Sequence, residues 1–480
     1  MVLLLFLDNM PIAIGKWARY TKKKTLGASS MELPGTRIFS NRALLRIMVP
    51  LIIEQILANL VGLCDGIMVS DAGEAAISAV SLVNMICGVV LVLFAALSTG
   101  GAVVTSQYWG AGQKDNAKKS AEQMVLMSLA FSMLLMTVCL IWTRPILRLF
   151  FGAVEEDVMS ASIVYFRYNA ASFPFIALYN AGAAIFRSMG NSKISMRISL
   201  VTNIINIAGN AICIYGFHMG VAGVAIPTVV GRIVGAVLIL IPACDPRQEL
   251  SISLKNMRHI HGGMMRKIVG VGIPTAFENS LFQLGRVLVL SMVAALGTVQ
   301  ITANATANSI SGIVIFISQG MSLGTITVVG QCLGARDTKQ AMYYTKKLLL
   351  WCYLSQGTLQ LLLLIFRSQA VMLYSNLSPE TVALTEKLLA IFMLGAIPIY
   401  PLSFMLPSAL RAANDGRYTM IVSVLSMVLC RVALSWVLCT RLGWGVTGIW
   451  VAMVMDWVFR SVFFVIGWFS GKWKKHCYLT

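Results

Sequence analysis

The sequence predicts an all-α polytopic membrane protein, with about twelve transmembrane helices arranged as two parallel-repeat six-helix bundles. Three observations carry this. First, 58% of the 480 residues are hydrophobic and only 12% charged, with mean hydropathy +0.78; soluble domains are about 25% charged. Second, the apolar stretches run about 20 residues or more without period-two alternation, enough to cross a bilayer as helices and unlike barrel strands. Lipid offers no backbone partner, so each span closes its own hydrogen bonds as a helix. Third, the chain repeats itself when residue n is aligned with n+224. Pro50 and Glu54 meet Pro274 and Glu278; Ala79, Asn84, Ile86 and Gly100 meet Ala303, Asn308, Ile310 and Gly324. Gln107, Gly110 and Ala111 meet Gln331, Gly334 and Ala335, and Pro174, Arg187 and Met196 meet Pro398, Arg411 and Met420. After a one-residue slip, the segment 220–223 meets 445–448. A repeat of this size in a membrane chain points to a transporter with two related halves.

The elements follow in order. Residues 1–40 form an N-terminal cytoplasmic extension. Its apolar start, Met1 to Leu7, is stopped by Asp8 and Pro11, and its basic residues come after the apolar run, the reverse of a signal peptide. Met31 is an alternative start. The first lobe, 41–243, holds spans near 44–68, 76–105, 121–143, 161–186, 194–215 and 221–243. A basic cytoplasmic linker, 244–262, joins it to the second lobe, 263–471. That lobe holds spans near 266–295, 300–329, 345–366, 383–410, 418–440 and 446–469, and a tail, 472–480, closes the chain. An even number of spans per half gives the halves the same orientation, which makes the repeat parallel. About 28 of the 38 Lys and Arg fall on one side, among them Arg42, Arg46, Lys118, Lys119, Arg266 and Lys267, which places both termini in the cytoplasm.

Composition also excludes classes. The +19 net charge lies in short segments between spans, so it is topology charge and calls for no nucleic acid. The ten Cys show no CxxC spacing, several sit inside apolar runs, and His259 and His261 have no further ligands beside them, so no metal centre is expected. No GxxxxGK[ST] motif appears, so ATP does not drive the chain. No enzyme site is visible and no cofactor is expected. The 27 Met give a weak signal of an adaptable apolar wall.

Ionisable groups inside spans are costly and draw attention first. Glu54 and Asp65 lie eleven residues apart in span one, about three turns and roughly 16 Å, on one helical face. Two carboxylates on one stripe suit a surface that binds cations or carries protons. Glu54 also reads as a helix-start residue. Glu54 has a repeat partner in Glu278, whereas Asp65 faces Val289, so an ion site on Asp65 belongs to the first half alone. Arg286 lies two turns after Glu278, as a paired cation or as a gate. Asp456 and Arg460, at i and i+4, read as an intrahelical ion pair. Arg167, Arg232, Lys387 and Arg431 read as snorkelling groups. Asn180 and Thr202 stand in neighbouring spans, and Asn203, Asn206 and Asn210 form one stripe that either bonds across helices or lines a hydrated site.

The pattern resembles the multidrug and toxic compound extrusion (MATE) family over about residues 41 to 470. Its carriers are Pro50 with Asp65 fifteen residues later, Ala79-Val-Ser, the segment 107–111 with its repeat 331–335, and 187–193 with its repeat 411–417. The chain is most similar to the prokaryotic DNA-damage-inducible-like branch. The resemblance implies twelve helices in two bundles around a central cleft, and secondary transport that exports small organic cations in exchange for H⁺ or Na⁺. It implies Asp65 as the cation-coupling acid, with Asn180 and Thr202 beside it and Na⁺ as the one metal that site would take. Departures stand at Ala184, Phe282 and Tyr400, where family members carry acids, so the second-half acid site of one branch is not expected here.

The expected function is therefore an antiporter working as a monomer in the lipid bilayer by alternating access. Glu54, Glu278, Asn203, Asn206 and Arg286 are expected at the substrate cavity, the two Glu as an acidic lining near the inner mouth. Two rivals remain: a lipid-linked saccharide flippase of the same superfamily, which calls for about fourteen spans and a cationic cavity, and a channel or receptor, which would need a filter-like polar segment or charged ring.

Overall fold

The computed structural model describes residues 37–70, 73–152, 155–253, 256–374 and 377–475. All regular structure among them is helical. The first half runs α1 (Asn41–Ser70), α2 (Glu74–Gly110), α3 (Lys114–Ile141), α4 (Thr143–Phe151), α5 (Glu156–Ala171), α6 (Phe173–Ser188), α7 (Ser192–Ala211) and α8 (Ala222–Cys244). The second runs α9 (Gly262–Ala294), α10 (Thr298–Gly334), α11 (Thr338–Ile365), α12 (Arg367–Met372), α13 (Pro379–Phe404), α14 (Leu406–Ala412), α15 (Gly416–Ser426) and α16 (Gly445–Phe469). The expected extension, 1–40, falls almost wholly outside the described residues, as does the end of the tail.

Ten helices among the described residues are long and apolar enough to cross a membrane. The two other expected spans are present in altered form. Span four divides into α5 and α6 at Ser172, because Pro174 at the start of α6 has no N–H to continue the ladder. Span seven is the 33-residue α9, whose apolar character is diluted by Arg266, Lys267, Glu278 and Arg286. Short helices α4 and α12 follow α3 and α11 at matching places in the two halves, and spans five and eleven both end in π-helical turns, Ile212–Gly216, Met427–Leu434 and Val437–Arg441. Side chains such as Leu149, Phe217 and Leu373 are largely exposed, as lipid-facing surface requires.

Within residues 46–475 the halves meet chiefly through α2, which packs along α9 and α10. Small residues permit the approach. A Cβ on Gly100 would strike the Ile268 carbonyl and Gly272, and one on Gly320 would strike the Ile52 backbone. Among the described residues, one core around Met124, Phe186 and Ile239 runs from the first half to Ile268, Val271 and Ile326 of the second, and another around Phe94, Phe166 and Phe173 lies within the first. A third, around Phe392, Tyr400, Trp450 and Trp457, fills the second.

Candidate functional site

Asp65 sits near the end of α1. It accepts a 2.6 Å hydrogen bond from Asn210 Nδ2. Asn210 is the last member of the α7 stripe and stands just before the π-helical turn at Ile212, a type of distortion frequent at functional sites. The network continues from Asn210 to Asn206 Oδ1 (3.3 Å) and from Asn206 Nδ2 to Thr228 Oγ1 of α8 (3.0 Å). The buried Asn210 Oδ1 has no hydrogen-bond partner. Arg232 of α8 interacts electrostatically with Asp65 and donates to Asn169 Oδ1 (3.2 Å) and Ser172 Oγ (2.6 Å). Tyr165 donates to Asn84 Oδ1 at 3.3 Å beside them. One carboxylate and orphaned amide oxygen, held by dry helices, can take up a proton or a hard monovalent cation.

The sequence-predicted residues divide. Asp65 and Asn206 share this network. Thr202 gives its hydroxyl to the Ser199 carbonyl at 2.9 Å, about 12 Å along α7 from Asn210. Asn180 is half-buried on α6, and Asn203 keeps a buried Nδ2 without a partner. Asn210 entered the sequence reading only as part of a stripe, and Arg232 as a snorkelling group. Arg232 instead turns inward, because Ser172 and Asn169 at the α5–α6 break offer it acceptors that lipid does not.

Glu54 and Glu278 do not open to a mouth; they are 6% and 4% exposed. Glu54 accepts from Ser195 Oγ at 2.8 Å, with Tyr179 beside it. Glu278 accepts from Ser423 Oγ at 2.7 Å and Arg411 Nη2 at 2.8 Å, with Arg460 at 3.6 Å. The two expected pairings are thus replaced. Glu278 bonds Arg411 instead of Arg286, which is exposed. Arg460 reaches across to Glu278, and Asp456 accepts from Ser426 Oγ, so their i, i+4 spacing makes no ion pair.

At the end of the molecule away from Asp65 the halves are clamped by a repeat-symmetric pair. Gln107 Nε2 donates to the Ala412 carbonyl (2.6 Å) and Gln331 Nε2 to the Ser188 carbonyl (2.7 Å). Both donors and both acceptors are related by the 224-residue offset. Gly110 and Gly334 make this possible, since a Cβ on either would overlap the backbone of Gln331 or Gln107. Lys267 Nζ adds a 3.1 Å bond to Tyr108 Oη.

Two six-helix repeats clamped at one end, each with buried polar groups, form the frame of a transporter. The MatE family model matches residues 50–212 and again 274–437. The chain belongs to the multidrug and toxic compound extrusion family. It is 26% identical to the uncharacterized transporter YisQ of Bacillus subtilis over 94% of this chain and 98% of that protein. It is 24% identical to the probable multidrug resistance protein NorM of Thermotoga maritima, over 94% and 96%. Among solved structures, an outward-facing MATE multidrug resistance transporter superposes with TM-score 0.84 at 21% identity, over 90% of this chain and 96% of the other. A superfamily transporter from Pyrococcus furiosus, described as having a binding pocket of reversed polarity, gives 0.83 at 20% identity, over 90% and 95%. The chain is a multi-pass membrane transporter of the twelve-helix MATE fold and not an enzyme. Among the described residues no three His, Cys, Asp or Glu gather to hold a metal.

Proposed function

We propose that this protein is a monomeric antiporter that exports organic cations and other xenobiotics across the bacterial inner membrane in exchange for H⁺ or Na⁺. The observation that carries the reading is the Asp65–Asn210 contact at 2.6 Å, with Asn210 Oδ1 buried and unpartnered. A proton on Asp65 removes the charge that Asn210 Nδ2 bonds. A sodium ion there draws on Asp65 and the free amide oxygen together. Either event changes how α1 sits against α7, and so links ion occupancy to helix packing. The multidrug names of the relatives support the substrate class. The distribution of Lys and Arg supports cytoplasmic termini, and with that orientation the Gln107–Gln331 clamp lies on the cytoplasmic side. Glu54 and Glu278 then brace their own bundles near the inner side.

The test is efflux of a fluorescent organic cation from vesicles under an imposed H⁺ or Na⁺ gradient. The wild type accelerates efflux with one gradient. Acceleration by neither gradient would sink the antiport reading.

A further inference from the structure

The two halves are related in sequence, yet their unmatched charges differ: the first half carries Asp65 with Arg232, which faces Trp457, and the second carries more arginines than acids. Asp65 of the first half faces Val289 in the repeat. Conversely, Arg286 and Arg460 of the second half face Gly62 and, beyond the slip, Gly235. Arg431 matches Asn206 or Ile207, according to where the slip falls, and neither is charged. The second half thus holds three unmatched guanidiniums and one unmatched acid, Asp456, which faces Gly231.

The structure gathers them. Arg431 stands in the π-helical stretch Met427–Leu434, with Arg286 and Arg460 as like charges and Asp456 as a counter-charge near it, and Arg286 lies one helical turn after Phe282 on the same face of α9. Phe282 of α9 lies between two of them: its ring centroid is 6.0 Å from the Arg431 guanidinium and 5.9 Å from that of Arg460. Arg460 also covers Phe404 at 4.7 Å, and Phe404 stacks on Tyr400 at 4.2 Å. The carboxylates around the cluster are Glu278 and Asp456. Glu278 Oε1 is taken by Arg411, Arg460 and Ser423 and Asp456 Oδ1 by Ser426, while Glu278 Oε2 and Asp456 Oδ2 are buried without a hydrogen-bond partner. Four arginines therefore answer to two acids. The buried Nε atoms of Arg411, Arg431 and Arg460 have no acceptor, although Arg460 is only 4% exposed. Arg411 and Arg460 brace Glu278 and Asp456 is the counter-charge of Arg431, which leaves Arg286 in excess of the two acids. Arginines in excess of their acids, with buried Nε donors left free, are stabilised by an oxyanion, and the aromatic faces around them suit an apolar body attached to it.

We propose that Arg286, Arg431 and Arg460, with Phe282 and Phe404, form a subsite for the carboxylate of an aromatic or amphipathic substrate. It deepens the exporter reading and rests on it: among the other xenobiotics of that reading, the second half selects those that carry an acid group, and the first half carries the coupling acid. The shared chemistry, an oxyanion on an apolar body, also belongs to anionic lipid headgroups, and the test separates the two.

The experiment uses the full chain purified in neutral detergent, with no gradient, so a failure of ion coupling does not affect it. Binding of dansylphenylalanine, its methyl ester and ethidium is followed by fluorescence. The wild type binds the acid about tenfold or more tighter than the ester, the size of a charge-assisted contact. Arg431→Gln and Arg286→Gln each bring that ratio close to one, with ethidium, which carries no acid group, losing no more affinity than the ester does, and Arg431→Lys recovers part of the acid preference. Arg286 is exposed, so its variant reads the site even where Arg431→Gln fails to fold. Equal binding of acid and ester by the wild type, or an acid preference that survives Arg286→Gln, overturns the proposal. Displacement of the acid by phosphatidylglycerol at lower concentration than the acid itself assigns the site to lipid and overturns it as a substrate site. Acid-selective binding in a protein that drives no efflux in vesicles would leave the subsite standing and remove the exporter reading.

Discussion

At the scale of single residues, the membrane makes each buried charge an account of its partners. Glu278 is surrounded by Arg411, Arg460 and Ser423. Removing its charge strands two guanidiniums in a dry interior, so Glu278→Gln destabilises by about 3 kcal/mol or more; a lowered melting temperature of the detergent-solubilised protein checks this. Asp65 is different, because its single amide donor can turn away without leaving an unpaired cation in hydrogen-bond contact. Asn210→Ala keeps the carboxylate but removes its donor and the free Oδ1. It shifts the ion concentration that half-saturates transport by about tenfold, the weight of a hydrogen bond to a charged group, while fold and expression hold. An unchanged half-saturation in transport assays would detach Asn210 from coupling.

At the scale of elements, the contact of α2 with α10 works as a latch between the halves. Gln107 and Gln331 each give one hydrogen bond to a helix-end carbonyl of the opposite half, and Gly110 and Gly334 let the backbones meet. Removing both bonds with Gln107→Ala and Gln331→Ala raises amide exchange in the segment 330–335 by about tenfold or more, since each is worth about 1 kcal/mol. Hydrogen–deuterium exchange with mass readout measures it, and exchange equal to wild type would show that other contacts hold this end shut. The helices themselves were legible in the sequence because bilayer thickness fixes their length and lipid fixes their composition. The division of span four at Ser172 and the π-helical ends of spans five and eleven were not. A π turn is a local shift of hydrogen-bond register that tertiary packing imposes and hydropathy does not register.

At the scale of the whole molecule, the same contrast explains how far the site was readable. Asp65 stood out because an acid inside an apolar run, unmatched in the repeat, has no bland role. Its partner Asn210 did not, since sequence shows a stripe and not what the stripe faces. Arg232 and Arg431 read as snorkelling groups because composition cannot tell the interior side of a helix from its lipid side. Asp456 and Arg460 read as a pair because spacing permits it, but a long guanidinium reached a second helix instead. The basic residues also set an orientation that can be checked directly. A fluorescent-protein fusion at the C-terminus fluoresces and an alkaline phosphatase fusion there stays inactive, because both remain in the cytoplasm; the reverse pattern would invert the molecule and place the clamp outside.

The central claim is that Asp65 couples export to an ion gradient, and one measurement addresses it most directly. Substrate is added to proteoliposomes holding a preformed ΔpH, with and without Na⁺, for the wild type and for Asp65→Asn. Substrate collapses ΔpH in the wild type, or drives Na⁺ movement where Na⁺ is the partner, and Asp65→Asn does neither while still binding substrate. Substrate-driven ion movement by Asp65→Asn at the wild-type rate would contradict it.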